Sequence, residues 1–293
     1  MAIYSIKDLE KLSGIQAHTI RIWEKRYQLV RPQRTATNIR VYTDDDLKRL
    51  LNVSFLNGNG LKISKIAKLS DIEVKDKIFQ LSADISKIDN QIDALILSMI
   101  DLNEHKFEKI LSRLVIQIGF EETITGVIYP FLNRIGVLWQ TGSINPAQEH
   151  FVSNLIRQKL FVAIDSILVD EIPGRKRFVL FLPEGELHDI GLLYYAYIIK
   201  KSGHHVFYLG QSVPFPDLLE INKIKPFQYL LTSFTTSISQ DLLEEYLLAL
   251  STSFKQMKVF IFGSQTDSVD YKKMPNIIKI TSPEQFKEHL AKV

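Results

Sequence analysis

The chain has no cysteine in 293 residues. That excludes disulfides and thiolate-held metals, and it is the usage expected of a reducing cytoplasm. No apolar run approaches the roughly 18 residues that span a bilayer, so no membrane segment or membrane partner is expected. Lys7, Asp8 and Glu10 stand where a secretory leader would carry its apolar stretch, so no leader is expected either. Internal repeats and low-complexity segments are missing. What remains is an ordinary globular profile, 45% hydrophobic and 24% charged, at a length typical of about two domains. The chain is therefore expected to be cytoplasmic.

Charge is unevenly placed. The net is +3, but residues 1–75 hold 14 Lys/Arg against 8 Asp/Glu, and the remainder is slightly acidic. A basic first quarter on an acidic remainder points to a polyanion partner for the N-terminal module alone.

Three regions separate by pattern. Residues 1–75 read as short amphipathic helices broken by polar turns, and residues 76–171 as helix throughout. From 175 to 293, apolar runs alternate with helical patterns: "RFVLFL", "HHVFYLG", "FQYLLTSF", "KVFIFG" and "NIIKI". Such alternation predicts a parallel sheet of five strands with helices on both faces. "DEIPGRKR", with Pro173 and Gly174, marks the boundary before the sheet.

In "YSIKDLEKLSGIQAHTIRIWEKRY", Ser5 and Asp8 are spaced as a capping box, and Gly14 ends the first helix. A second helix buries Ile20 and Trp23 and exposes His18, Thr19, Arg21 and Lys25. A helix-turn-helix sets such side chains against base edges of the major groove. "RPQRTATNIRVYTDDDLKRL" follows, with Arg34, Arg40 and Tyr42 interleaved with polar residues suited to phosphate. Residues 4–50 closely resemble the winged-helix DNA-binding domain of the MerR regulators, through "TIRIWEKRY", "RPQRT" and "RVYTDDDLKRL". The resemblance puts recognition-helix contacts on Arg21 and its neighbours, and wing contacts on Arg34, Arg40 and Tyr42.

"ELHDIG" places His188 just beyond the first strand, at the carboxyl edge where open α/β sheets bind ligands. Glu186 is placed to hold the imidazole as the carboxylate partner of a metal-bound histidine. "GHHVFYLG" and the third strand's Ser233 and Thr235 extend the match. The whole is similar to B12-binding domains, through Glu186, His188, Gly191, Gly203, Val206, Leu209, Gly210, Ser233, Thr235 and Gly263. There the resemblance implies that His188 replaces the displaced lower base on cobalt, and that Gly203, Gly210 and Gly263 line a slot for the nucleotide tail. Ser264 departs from the family's second glycine. His204 and His205 read as a polar strand start.

In "VLWQTGSINPAQEHF", nine residues separate Trp139 from the Glu149–His150 pair, with Pro146 suited to a first helical turn. That spacing resembles the cap of MerR-type B12 regulators that sense light through adenosylcobalamin. The resemblance implies that Trp139 and Glu149 cover the adenosyl group and that His150 assists at the corrin periphery. Gln140 departs from the histidine that such light sensors carry after the tryptophan.

The expected architecture is thus a MerR winged helix-turn-helix, a central four-helix bundle and a flavodoxin-like parallel sheet. The expected role is a non-enzymatic repressor that binds operator DNA as a dimer or tetramer and excludes RNA polymerase by occlusion. Adenosylcobalamin is the light-sensitive effector in this reading. The alternative keeps the regulator and makes the B12-like domain a light-independent oligomerisation or partner module. A corrinoid carrier for methyl transfer would share the cap and sheet, but it has no use for residues 4–50.

Overall fold

The computed structural model describes residues 4–35, 38–74, 77, 88–140, 144–168 and 174–292, with backbone alone at 11, 12, 44 and 137–140. The chain divides into two compact units, Met1–Leu155 and Ile156–Val293.

The first unit opens with α1 (Ile6–Ser13), α2 (Ala17–Tyr27), a two-residue hairpin of β1 (Gln33–Arg34) and β2 (Arg40–Val41), α3 (Asp44–Gly58) and α4 (Ile63–Ile66). Local sequence accounts for the boundaries. Ser5 and Asp8 form the reciprocal capping box of α1, and Thr43 and Asp46 form another at α3. Gly14 ends α1 in the left-handed region at φ 68°, which lets α2 start three residues later. β1 pairs with β2 through Arg34 and Arg40, and a lone bridge joins Tyr4 to Tyr42 behind it. Leu29, Val53, Phe55, Leu56 and Ile66 form the buried cluster that fixes α3 and α4, with Trp23 and Tyr27 packed half-buried against it.

Four helical segments follow: α5 (Ile88–Ile100), α6 (Glu104–Ile118), a compound helix, and α9 (Pro146–Asp165), whose first turns lie in this unit. The compound helix runs as α7 (Phe120–Glu122), a π-helical stretch Thr123–Ile128, and α8 (Tyr129–Gln140). In the π stretch, Thr123 donates to the Gly119 carbonyl at 2.7 Å, and Thr125 to that of Glu121 at 3.0 Å. Such back-bonding competes with the main-chain ladder and favours the wider turn. α5 is buried all round, including Asp93, which pairs with Arg134 at 2.6 Å. Burial lifts Asp93 to about 6 against the pull of Arg134.

The second unit holds β3 (Arg177–Pro183), α10 (Ile190–Lys201), β4 (His205–Val213), α11 (Phe215–Ile224), β5 (Tyr229–Ser233), α12 (Gln240–Ser253), β6 (Lys258–Phe262), β7 (Ile277–Lys279) and α13 (Pro283–Leu290). All five strands are parallel, in the order β4-β3-β5-β6-β7. The predicted five-strand doubly wound sheet is therefore the observed one. Its apolar runs are legible because both faces are covered. One face, with Val179, Phe181, Leu230, Val259 and Ile261, packs on Leu218 of α11 and on Leu243, Leu247 and Leu250 of α12. Alternation sends Phe178, Tyr229 and Phe260 to the other face, where they stack across neighbouring strands at 4.6 and 6.0 Å. Phe260 is then covered by Phe286 of α13 at 5.2 Å. The reversal of strand order falls at β3, so the loops after β3 and β5 flank the crevice expected to bind ligand.

Candidate corrinoid and DNA sites

Glu186 organises that crevice. Its side chain is 6% exposed, and its two oxygens collect six hydrogen bonds. Oε1 accepts from the backbone N–H groups of Leu187 and His188 at 3.0 Å each, from His188 Nδ1 at 2.7 Å, and from the Thr236 hydroxyl at 2.9 Å. Oε2 accepts the backbone N–H groups of Thr235 and Thr236, each at 2.7 Å. Burial by itself would raise this carboxyl. The donors, His188 and the Thr236 amide foremost, hold it well below the usual carboxylate range. The ionised carboxylate ties the loop after β3 to the loop after β5.

The same bond sets the histidine. Facing a carboxylate, Nδ1 carries the proton, so in neutral imidazole the lone pair lies on Nε2, the nitrogen suited to a metal. The His188 side chain is 62% exposed. Among the described residues no three His, Asp or Glu side chains gather as a metal cage. A corrin brings four nitrogens of its own to cobalt, so one oriented imidazole is the donor set it needs.

Asp189, next in the chain, is buried and accepts from Arg157 Nε at 2.6 Å and from the Tyr208 hydroxyl at 3.4 Å. Burial first, then the Asp189 charge, pushes Tyr208 far up. Gln211 donates to the Leu187 carbonyl at 2.7 Å, and the Ser212 hydroxyl accepts the Gly185 N–H at 3.1 Å. Thr236, Asp189, Arg157 and Gln211 were not legible in the sequence. They lie 24 to 50 positions from the loop groups they hold, and no local spacing signals such a pairing.

The other expected positions divide. Ser233 and Thr235 sit together at the carboxyl edge, hydroxyls 3.4 Å apart. Gly203 does not join them. It precedes β4 at the opposite, amino edge of the parallel sheet, and a side chain there would meet the Arg175 guanidinium. Val206, paired with Phe178 at the start of both strands, stays at that edge too. Leu209 packs into the core on the α11–α12 face. A Cβ on Gly210 would touch only Tyr208, whereas one on Gly263 would fall 2.3 Å from the Phe234 carbonyl oxygen. A Cβ on Gly191 would lie 2.8 Å from the Phe262 ring. The three glycines expected to line one slot thus face three different neighbours in the chain itself. One oriented imidazole at Glu186–His188 suits a corrinoid, whereas the glycines expected to line one slot for its nucleotide tail do not share a common space.

Toward the start of α9, Asn145 accepts the Ala147 N–H at 2.9 Å while Gln148 accepts that of Asn145 at 3.1 Å, a reciprocal cap that starts the helix at Pro146. Glu149 and His150 lie in its first turn, Nδ1 to Oε2 at 3.2 Å, and Glu149 also accepts from the Ser153 hydroxyl. Trp139 and Gln140 end α8, and their side chains lie outside the described residues.

In the DNA-reading region, His18, Arg21, Lys25 and Arg34 are exposed and Thr19 is half-buried. Arg34 bonds Asn38 across the wing at 2.5 Å. Arg40 is half-buried, with Nε 3.2 Å from Glu24 of α2. Tyr42 corrects the expectation of a wing contact: at 1% exposure it lies under the wing, its backbone bonded to Tyr4 and its hydroxyl directed to Glu24 at 3.5 Å. Burial and the Glu24 charge push it up to about 12.

Comparison with known proteins identifies the family. Residues 4–71 match the MerR HTH family regulatory protein model, and residues 91–163 match a B12 binding domain model. The HTH-type transcriptional repressor CarH of Myxococcus xanthus is 30% identical over 227 residues, covering 73% of each chain. The chain belongs to the MerR family of regulators with a B12-binding domain. This MerR regulator is also 26% identical to the repressor CarA of the same organism over 211 residues, 71% of its own length and 68% of that protein. In fold it is similar to the monomethylamine corrinoid protein of Methanosarcina barkeri, at 16% identity, a TM-score of 0.56, and coverage of 71% and 100%. The MerR regulator reads operator DNA and is not an enzyme. Among its described residues no helix is long and apolar enough to cross a membrane.

Proposed function

We propose that this regulator is a cytoplasmic repressor whose operator binding, as a dimer or tetramer that occludes RNA polymerase, is set by adenosylcobalamin and released by light. The Glu186–His188 bond of 2.7 Å, in a carboxylate locked by Thr235 and Thr236, carries the reading. Bound cobalt supplies a light-cleavable bond to carbon. The chain's own part is to present a correctly protonated imidazole and to cover the opposite face through Trp139, Glu149 and His150. Three modules do this: a reader over 1–75, a helical cap over 76–171 and a corrinoid-binding sheet over 175–293. Arg21 with His18, Thr19 and Lys25 reads bases, while Arg34 and Arg40 hold phosphate.

The test is the absorption spectrum and operator gel shift with adenosylcobalamin, in the dark and after green light. His188→Ala should weaken binding or leave the cobalt without its histidine spectrum. Wild type should lose operator affinity on illumination, and Gln140→His should add a bis-histidine photoproduct that wild type lacks. An unchanged spectrum in His188→Ala refutes the site. A spectrum and gel shift insensitive to light favour a second reading, a light-independent regulator, which the close packing of Phe262 on Gly191 and of Phe234 on Gly263 supports.

A further inference from the structure

Beyond residue 75 the chain is slightly acidic in sum, yet the fold of the second unit sorts its charges by edge. Four described segments run past the ends of β3, β4, β5 and β6 at the carboxyl edge: 183–190, 210–217, 233–241 and 262–267. They contain six Asp/Glu and no Lys/Arg. The four that run up to the starts of those strands at the amino edge, 174–177, 198–206, 222–229 and 251–258, contain nine Lys/Arg and no Asp/Glu. Cations at the C-termini of α10 and α11 answer the helix dipole, which accounts for Lys200, Lys201 and Lys223. It does not account for Arg175, Lys176, Arg177 and Lys258, which precede or open strands, because strand dipoles nearly cancel.

Packing lays these cations side by side. Gln228 accepts the Arg177 N–H on its side-chain oxygen at 2.9 Å and the Lys258 N–H on its main-chain carbonyl at 3.3 Å, so β3 and β6 start level across β5. Arg177 is in register with His205 of β4. Arg175 lies over Gly203, where a Cβ would fall 2.6 Å from its Nη1, and donates to the Ser202 carbonyl at 3.4 Å. Arg177 donates to the Pro226 carbonyl, also at 3.4 Å. Such neutral partners orient the guanidinium groups and leave their charge standing. Lys223 is offset by Glu220 at 2.6 Å, while Arg175, Lys255 and Lys258 are exposed. His204, buried against Phe178 at 5.7 Å, registers the local field. Burial, then the charges of Arg175, Lys176 and His205, hold its imidazole below the ordinary value.

We infer that this amino edge is a second DNA surface, which holds the phosphate backbone flanking the operator. Adjacent strands are about 4.8 Å apart, so four strand starts make a row about 15 Å long, the rise of about four phosphates on one DNA strand. Contacts of this kind add affinity without sequence choice. DNA held by the reader of the same chain meets the edge at a high effective concentration. The acidic carboxyl edge of a second copy is the competing occupant. Its buried carboxylates, Glu186 and Asp189, are already engaged by His188, Thr235, Thr236 and Arg157, which leaves it the poorer counterpart. The inference rests on operator binding alone and is independent of the corrinoid.

The test uses the full chain in the dark with adenosylcobalamin throughout, so that every titration shares one effector state. One probe is a duplex selected from random sequence and trimmed to the shortest length that keeps base discrimination. The other is the same duplex extended by about one helical turn, ten base pairs, on each side. Gel shifts at several salt concentrations should give a slope of log Kd on log salt steeper by about 2–3 for the extended duplex, from two or three extra phosphates. Arg175→Gln, Lys255→Gln and Lys258→Gln together should remove that difference and leave the short duplex bound as in wild type. Equal slopes for the two duplexes in wild type would overturn the inference, and that comparison needs no variant. A flank effect that survives the triple change undiminished would overturn it too. So would a triple variant that loses self-association in sedimentation without DNA while wild type shows no flank effect, which assigns the edge to a second copy.

Discussion

Replacing Glu186 by glutamine tests the loop architecture without any cofactor. Glutamine keeps the shape and one acceptor oxygen, but places an amide NH2 where the other oxygen stood. Whichever way it turns, donors face donors. On the Oε2 side two backbone N–H groups lose their acceptor, and on the Oε1 side the His188 ring and three further donors do. A fully buried donor left unmatched costs about 1–3 kcal/mol. Thr235 and Thr236 are exposed, so water recovers part of that. A net loss of about 2–3 kcal/mol follows, or roughly 6–12 °C in the melting of a unit of this size. Circular dichroism melts at neutral pH would measure it, with hydrogen exchange of Thr235 and Thr236 as the local readout. Acid adds a second arm. Because Glu186 is held below its unfolded value, its stabilisation is complete above that value and is lost as pH falls toward the folded one. Wild type should lose this increment on acidification and Glu186→Gln should not, so their melting points converge. A variant melting within about 1 °C of wild type at neutral pH, with Thr235 and Thr236 still protected, would refute the reasoning.

In the first unit, Arg134→Met strands Asp93 as a buried charge and should cost about 3–5 kcal/mol in urea unfolding, against little for the double change with Asp93→Leu. With Asp93 lifted to about 6, the folded state holds that proton more tightly than the unfolded one. The increment is full below about 4 and lost as pH rises through about 6, and Asp93→Asn should flatten that slope. Tyr42→Phe should be nearly silent because the bond to Glu24 is 3.5 Å long, whereas Tyr42→Ala should cost about 3–5 kcal/mol by thermal melting. In gel shifts at several salt concentrations, Arg34→Ala should weaken binding to all sequences and lower the salt slope by about 1, while Arg21→Ala should relax sequence choice.

The sheet was legible because its strands are apolar runs covered on both sides, and the capping box at Ser5 announces its helix in three residues; the one at Thr43 emerged only in the structure. The β3–α10 loop was legible at Glu186 and His188, whose partnership is local. Thr236, Arg157 and Asp189 were hidden, since each acts across two or more elements. Tyr42 misled for a related reason: an aromatic beside arginines reads as an interface, and nothing in the spacing says that its backbone bridges to Tyr4 and its side chain is buried. "KVFIFG" marked a strand, but not that Gly191 and Tyr195 would meet Phe262 at its end. Gly203 was misplaced because a glycine pattern carries no information about which edge of a sheet it marks.

The π-helical stretch Thr123–Ile128 has a consequence for angular phase. An α-helix turns about 100° per residue, and a widened turn accommodates one residue more than the regular ladder would. Residues on its two sides therefore belong to two helical phases, offset by nearly a third of a revolution. Removing one residue between 123 and 128 would merge them and swing everything from Tyr129 to Gln140 around the helix axis. The azimuth at which positions 139 and 140 leave α8 is thus set more than ten residues upstream, by the threonines that bend the ladder.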